Sequence, residues 1–191
     1  MVDDRQDVTD GELLAQARDG DSQAFAVLVD RYKDPLIGYL ISLVRDRDRA
    51  EDLAQESFLR LYERGSNYKE QGFLRAYLFR IATNLLRSEE RRKARWSQMK
   101  AILFSPNGHR SEPAQEVRLL QDEITVRLRQ AIADLPLHYR APLVLHEIDG
   151  WRYREIGEAL GCQEGTVKSR IHRGRRLLRE ELQPDWEGSS A

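Results

Sequence analysis

The sequence predicts an all-α protein: two small helical domains joined by a flexible linker, the C-terminal one a helix-turn-helix. Three observations carry this reading. Apolar residues recur at spacings of three and four along most of the 191 positions, the period of a helix with one buried face. Leu, Ala, Arg, Glu and Gln fill those stretches, and runs of β-branched residues are nearly absent, which favours helix over strand. The pattern fails between Arg95 and Ala114, where SPNGHRSEP brings prolines, a glycine and small polar residues, the composition of a linker.

Taken in order, Asp21-Ser22 forms a candidate N-cap ahead of Phe25, Leu28, Val29 and Tyr32 at i, i+3, i+4 and i+7. Pro35 predicts a break or restart, after which Leu36, Ile37, Leu40 and Val44 resume the stripe. A helix over about 48–63 buries Ala50, Leu53, Ala54, Phe58 and Leu61. The polar loop Arg64–Gly72 leads to a helix over about 73–92 with Leu74, Leu78, Ile81 and Leu85 inward. These helices share one core, which defines a first domain over 10–95 and a linker over 96–115. Val117, Leu120, Ile124, Leu128, Ala131 and Leu135 then mark a helix that stops at Pro136. Helices over about 138–148, 152–160 and 164–182 complete a second domain, 116–182. The tail 183–191, QPDWEGSSA from Gln183 onward, is expected to fray.

Composition excludes several classes. One cysteine, Cys162, rules out an internal disulfide framework and a Cys-rich zinc site. The acidic start MVDDRQDVTDGELL lacks the basic and apolar regions of a signal peptide, and no stretch approaches the length of a bilayer span, so a cytoplasmic protein without membrane insertion is expected. His109, His138, His146 and His172 show no metal-ligand spacing, and no phosphate-cradling glycine loop or nucleophile motif is present. The expectation is a non-enzyme with no cofactor and no metal. Net charge is −1, yet 1–56 carries −7 and 57–110 carries +8. Such segregation points to partners of both signs.

The run YREIGEALGCQEGTVKSRIHRGRRLL has helix-turn-helix spacing. Ile156, Leu160, Val167 and Ile171 fall where two crossing helices meet, Gly157 where their backbones come closest, and Gly161 in the turn. With Val167, Ile171, Gly174 and Leu178 inward, Lys168, Ser169, His172 and Arg173 point outward together, and Arg176 follows one turn later. No acid occurs from 165 to 179. A solvated basic face remains the plain alternative, but hydrogen-bonding groups interleaved with cations suit readout of a major groove. Glu164, Gly165 and Thr166 open the helix, where free N–H groups suit a phosphate.

In DRAEDLAQESFLRLYE the face opposite the core carries Asp52, Gln55 and Glu56, with Asp48 and Glu51 nearby; an acidic solvent face is the competing reading. The next helix carries Arg80, Thr83, Asn84, Arg87 and Arg91 as an exposed stripe, with Phe73, Tyr77 and Phe79 near its start. Cations with aromatics suit single-stranded or melting DNA, although Tyr77 or Phe79 is expected to be core. An autonomous helix-turn-helix regulator and a protein-binding adaptor are the rival classes.

DRAEDLAQESFLRLYE, FLRAYLFRIATNLLRSEERR and LPLHYRAPLVLHEIDGWRYREIGEALGCQEGTVKSRIHRGRRLL, in this order, resemble bacterial extracytoplasmic-function (group 4) RNA polymerase sigma factors over roughly 20–182. The resemblance implies that Asp52, Gln55 and Glu56 bind the β′ clamp helices of core RNA polymerase. It assigns Arg80, Asn84 and Arg87, with the Arg64–Gly72 loop, to the promoter −10 element. Thr166, Lys168, Ser169, His172, Arg173 and Arg176 take the −35 element. It further implies a contact with the polymerase β flap and control by an anti-sigma factor. Gly157 stands where relatives commonly carry alanine, implying a looser helix there.

Overall fold

The computed structural model describes residues 8–64, 73–103 and 123–182, and among these every regular element is a helix. The Arg64–Gly72 loop beyond Arg64, the positions Val117 and Leu120, His109 and the tail lie outside the described residues.

Helix α1 (Asp10–Arg18) was not anticipated. Its signal was local: Thr9 accepts from the Glu12 N–H, and the Glu12 carboxylate accepts from the Thr9 N–H at 3.0 Å, a capping box. Leu13, Leu14 and Ala17 are buried, and Arg31 and Tyr32 both donate to Asp10, fastening α1 to the following helix.

Helix α2 (Ser22–Val44) starts where expected, with Asp21 accepting from the N–H groups of Gln23 and Ala24 at 2.9 and 3.2 Å. It does not break at Pro35, which lies inside it. Interior proline costs about 3 kcal/mol, whereas burying each Leu side chain contributes about 1.5–3 kcal/mol. Leu28 on one side of Pro35 and Leu36, Leu40 and Leu43 on the other are all buried, so burial outweighs the proline. Arg45, at φ 58°, ends the helix in a left-handed cap.

Helix α3 (Arg47–Arg64) buries Ala50, Leu53, Ala54, Phe58 and Leu61 as the spacing predicts. Helix α4 (Leu74–Leu103) runs well past the expected end near 92 and the expected linker start at 96. Residues 91–100 are exposed throughout, so they show no apolar stripe, while Arg, Lys, Ala, Gln and Met sustain a helix without one. Periodicity detects burial, and this segment buries nothing.

The C-terminal helices are α5 (Glu123–Asp134), α6 (Leu137–Glu147), α7 (Tyr153–Leu160) and α8 (Glu164–Leu182). Ala131 and Leu135 are buried, but Leu128, expected inward, is 39% exposed. Gly161 caps α7 at φ 64°, a backbone that glycine adopts without strain. A Cβ on Gly157 would stand 2.8 Å from the Cys162 carbonyl oxygen. The glycine therefore lets the turn close over α7 rather than loosening it. Val167 and Ile171 are fully buried, Gly174 is buried where an added Cβ would stand 3.4 Å from Leu143, and Leu178 is half-buried.

The two domains pack directly on one another, chiefly α7 against α4 and α5–α6 against α2. Trp151, 3% exposed, seats its ring 4.8 Å from Phe79, which itself stacks on Tyr39 at 5.1 Å. The Arg75 guanidinium lies 4.3 Å over Trp151, and Arg140 bonds Glu90 at 2.6 Å. Asp149, in the turn between α6 and α7, has a buried Oδ2 with no partner among the described residues. Burial pushes its carboxyl up to about 6, partly offset by Arg75. A raised acid contributes stability that is fully present below its ordinary value of 3.8 and lost as pH rises through about 6. Asp149→Asn is therefore expected to flatten stability against pH between 4 and 6.5, measured by urea unfolding of both forms. Parallel profiles would contradict the assignment.

Candidate nucleic-acid and polymerase interfaces

Three faces remain once the core is assigned. On α8, Lys168, Ser169, His172, Arg173 and Arg176 are exposed and Thr166 is half-buried. The inward register of Val167, Ile171 and Gly174 turns these side chains outward as one stripe. The acid-free run is less free in space than on paper. Lys168 pairs with Glu164 at 2.9 Å, Arg176 with Glu180 at 3.4 Å, and Arg175 with Glu147 across to α6. The Glu164 pairing raises the Lys168 ammonium above its ordinary value. Ser169 donates to the Thr166 carbonyl at 3.0 Å, and the Thr166 N–H is taken by Gln163 at 2.9 Å. Arg173 and His172 carry no ion pair among the described residues, which leaves Arg173 the most available cation of this stripe for an incoming anion.

On α3, Asp52 and Gln55 are exposed and Glu56 is half-buried. Glu56 is bonded by Arg60 at 2.8 Å, and Arg49 lies 3.6 Å from Asp52 while also holding Glu89 of α4. Sequence reasoning missed Leu59, one turn beyond Glu56 and 52% exposed, and Tyr62, exposed beside Phe25 with ring centroids 5.0 Å apart. Leu59 was legible, being an apolar residue outside the Leu53, Ala54, Phe58 and Leu61 register. The α3 face is thus acidic with an exposed apolar end at Leu59 and Tyr62.

On α4, Asn84 is exposed and accepts from half-buried Arg87 at 2.9 Å. Thr83, expected on this stripe, is buried instead: it donates to the Phe79 carbonyl and receives the Tyr39 hydroxyl, both at 2.8 Å. The expectation failed because α4 is covered on two sides, by α2–α3 and by α7. Arg80 is not free either. Its Nε donates to the Glu158 carbonyl at 2.8 Å, and its guanidinium lies 3.8 Å from the Glu158 carboxylate. Of the aromatics, Phe79 is core, and Phe73 lies under Arg154 at 5.5 Å.

His146 and His138 are packed against neighbours. His146 meets the Trp151 carbonyl at 3.0 Å and stacks on Tyr153, and burial lowers the basicity of His138. Among the described residues no group of three or more His, Cys, Asp or Glu could hold a metal, and no helix is long and apolar enough to cross a membrane.

An acidic helix, a cationic helix beside it and a C-terminal helix-turn-helix are the arrangement carried by the two segments of this chain that match sigma-70 transcription initiation factors. Residues 28–96 match sigma-70 region 2, and residues 125–178 match sigma-70 region 4. The chain belongs to the extracytoplasmic-function RNA polymerase sigma factors and acts in promoter-specific transcription. It is 36% identical to the sigma factor SigW of Bacillus subtilis, covering 88% of this chain and 94% of the relative. It is 31% identical to the sigma-H factor of Pseudomonas aeruginosa, over 92% and 94%. Among solved structures, the sigma factor RpoE of Bartonella quintana, in complex with the anti-sigma factor NepR, aligns with a TM-score of 0.63 at 27% identity, covering 84% of this chain and 98% of that one. CnrH, in complex with the cytosolic domain of CnrY, aligns with a TM-score of 0.65 at 25% identity, over 92% and 98%.

Proposed function

We propose that this sigma factor divides its work among the three faces. Asp52, Gln55 and Glu56, extended by Leu59, bind the β′ clamp helices of core RNA polymerase. Asn84, Arg87 and, once released, Arg80 hold melted −10 DNA. Thr166, Lys168, Ser169, His172, Arg173 and Arg176 read the −35 duplex while the C-terminal domain touches the β flap. The protein works in the cytoplasm by binding alone; capture of unstacked bases offsets the few kcal/mol that each unpaired step costs. The observation that carries the reading is the segregation of acid on α3, base on α4 and a groove-reading stripe on α8. Run-off transcription with core polymerase on genomic promoter fragments tests it; absence of any promoter-specific transcript at saturating protein would end it.

Arg80 donates through Nε and Nη2 to Glu158, so a phosphate at this position competes for those donors and loosens the tie between α7 and α4. An anti-sigma factor, as in the RpoE–NepR complex, would act by holding a form in which polymerase and promoter faces are not jointly available.

Asp52→Arg is expected to weaken core polymerase binding by about tenfold or more, since like charges juxtaposed across an interface cost several kcal/mol. Binding of the free protein to −35 duplex should not change. Unaltered affinity for core polymerase would remove the α3 assignment.

A further inference from the structure

The seam between the two domains holds every buried side-chain nitrogen or oxygen that lacks a partner among the described residues. Asp149 Oδ2 and the Trp151 indole N–H lie in the turn between α6 and α7, and Arg140 Nε lies on α6. Buried polar groups in folded proteins are nearly all hydrogen-bonded. Inside the first domain this holds: fully buried Ser57 and Thr83 donate to the Leu53 and Phe79 carbonyls. Three unpaired groups gathered where two domains meet mark a contact whose polar atoms regain water when it opens.

Asp149 is the member whose cost depends on pH. Its N–H donates to the Val144 carbonyl at 3.2 Å, and Gly150 follows at φ 68°. The same turn seats the Trp151 ring against Phe79 and carries one carboxyl oxygen of Asp149 inward. Charged and titratable groups surround it from four helices. Arg75 of α4 attracts the carboxylate, against the larger effect of burial. Tyr39 of α2 feels Asp149 together with Arg140 of α6 and Arg87 of α4, and its hydroxyl is shared with Thr83. Arg140 is committed to Glu90 and the Ala133 carbonyl, and His146 of α6 to the Trp151 carbonyl. Glu155 of α7 accepts from the Arg152 N–H at 2.8 Å. None of them donates to Asp149 Oδ2.

A neutral carboxyl tolerates this seam, whereas an ionised one gains by reaching water. We infer that the Asp149 turn is a proton-operated clasp: the neutral carboxyl keeps the C-terminal domain on α4, and its ionisation favours release of α7 and of Arg80 from Glu158. Asp149 is a weaker acid closed than open, so low pH holds the closed form. Opening grows as pH rises from the ordinary value of 3.8 and levels once the closed form itself ionises, near 6. The consequence for promoter DNA rests on assigning Arg80 to the −10 element; the clasp itself does not.

The test uses the full chain, with Cys162→Ser and dyes on cysteines placed at exposed Asp19 of the first domain and Glu181 of α8. Single-molecule energy transfer then reads the open fraction from pH 5 to 8. The ratio of open to closed molecules should rise about tenfold between pH 5 and 7 and level above. Asp149→Asn, neutral at every pH, should stay closed throughout. Arg75→Gln removes the attracting cation and should move the rise to higher pH. An Asp149→Asn profile that rises like the parent's would assign the titration to another group and overturn the inference, as would an Arg75→Gln profile with an unmoved midpoint. No change of the ratio with pH in the parent chain would also overturn it. A fluorescein-labelled single strand carrying the −10 segment of a transcribed promoter supplies the second readout. Its affinity for the parent chain should follow the open fraction, with Asp149→Asn binding more weakly at pH 7. If the open fraction responds as expected and strand affinity does not follow, the clasp stands and the Arg80 assignment fails.

Discussion

Trp151→Ala is expected to lower the unfolding free energy by about 3–5 kcal/mol, the usual range for truncating a buried aromatic, and to part the two domains. Trp151 sits in the turn between α6 and α7, not in either helix, and its ring reaches across to Phe79 and lies under Arg75 of α4. Truncation removes that bridge and leaves the Arg75 guanidinium only the Phe79 ring, 5.8 Å away. Of the polar ties that remain beside the packing of α5–α6 on α2, Arg80 on Glu158 is more than a third exposed and contributes little. Arg140 on Glu90 is buried only on the arginine side. The measurement is paired, guanidinium unfolding for stability and solution scattering for the radius of gyration. Lower stability with an expanded radius and unchanged far-ultraviolet helicity is the expected result. An unchanged radius would show that the α4–α7 contact does not depend on Trp151. Trp151→Phe should restore most of the packing, because it preserves the ring against Phe79.

Arg173→Ala is expected to reduce −35-dependent initiation by roughly tenfold to a hundredfold, corresponding to about 1–3 kcal/mol for one good base or phosphate contact. Arg173 is chosen over its neighbours because Lys168 and Arg176 must first leave Glu164 and Glu180. Lys168→Ala should therefore cost less, as part of its binding energy already offsets a broken pair. Core polymerase affinity should be unchanged in both. A matching loss of core affinity would contradict the division of labour between α8 and α3. An effect of Lys168→Ala larger than that of Arg173→Ala would reverse the ranking drawn from the ion pairs.

Much of the architecture was legible because burial leaves a period. Ala50, Leu53, Ala54, Phe58 and Leu61 named the inward face of α3, and Val167, Ile171 and Gly174 named that of α8. The outward stripes Asp52, Gln55 and Glu56, and Lys168, Ser169, His172 and Arg173, followed by difference. Where a helix buries little, the period is silent: the far end of α4 was lost this way. Where another element covers a second face, the period misleads. Thr83 looked exposed on a one-sided helix and is buried between Tyr39 and Phe79.

By itself the sequence determined most of the helices and of their inward faces, the helix-turn-helix and the alternation of acid and base, because each depends on residues within one or two turns of each other. Only the tertiary structure decided that Pro35 stays inside α2, that Trp151 joins the two domains, and that Arg80 is held by Glu158, 78 residues away. Those outcomes depend on which surfaces meet across the chain. No local pattern encodes that meeting; the burial gained between distant segments selects it.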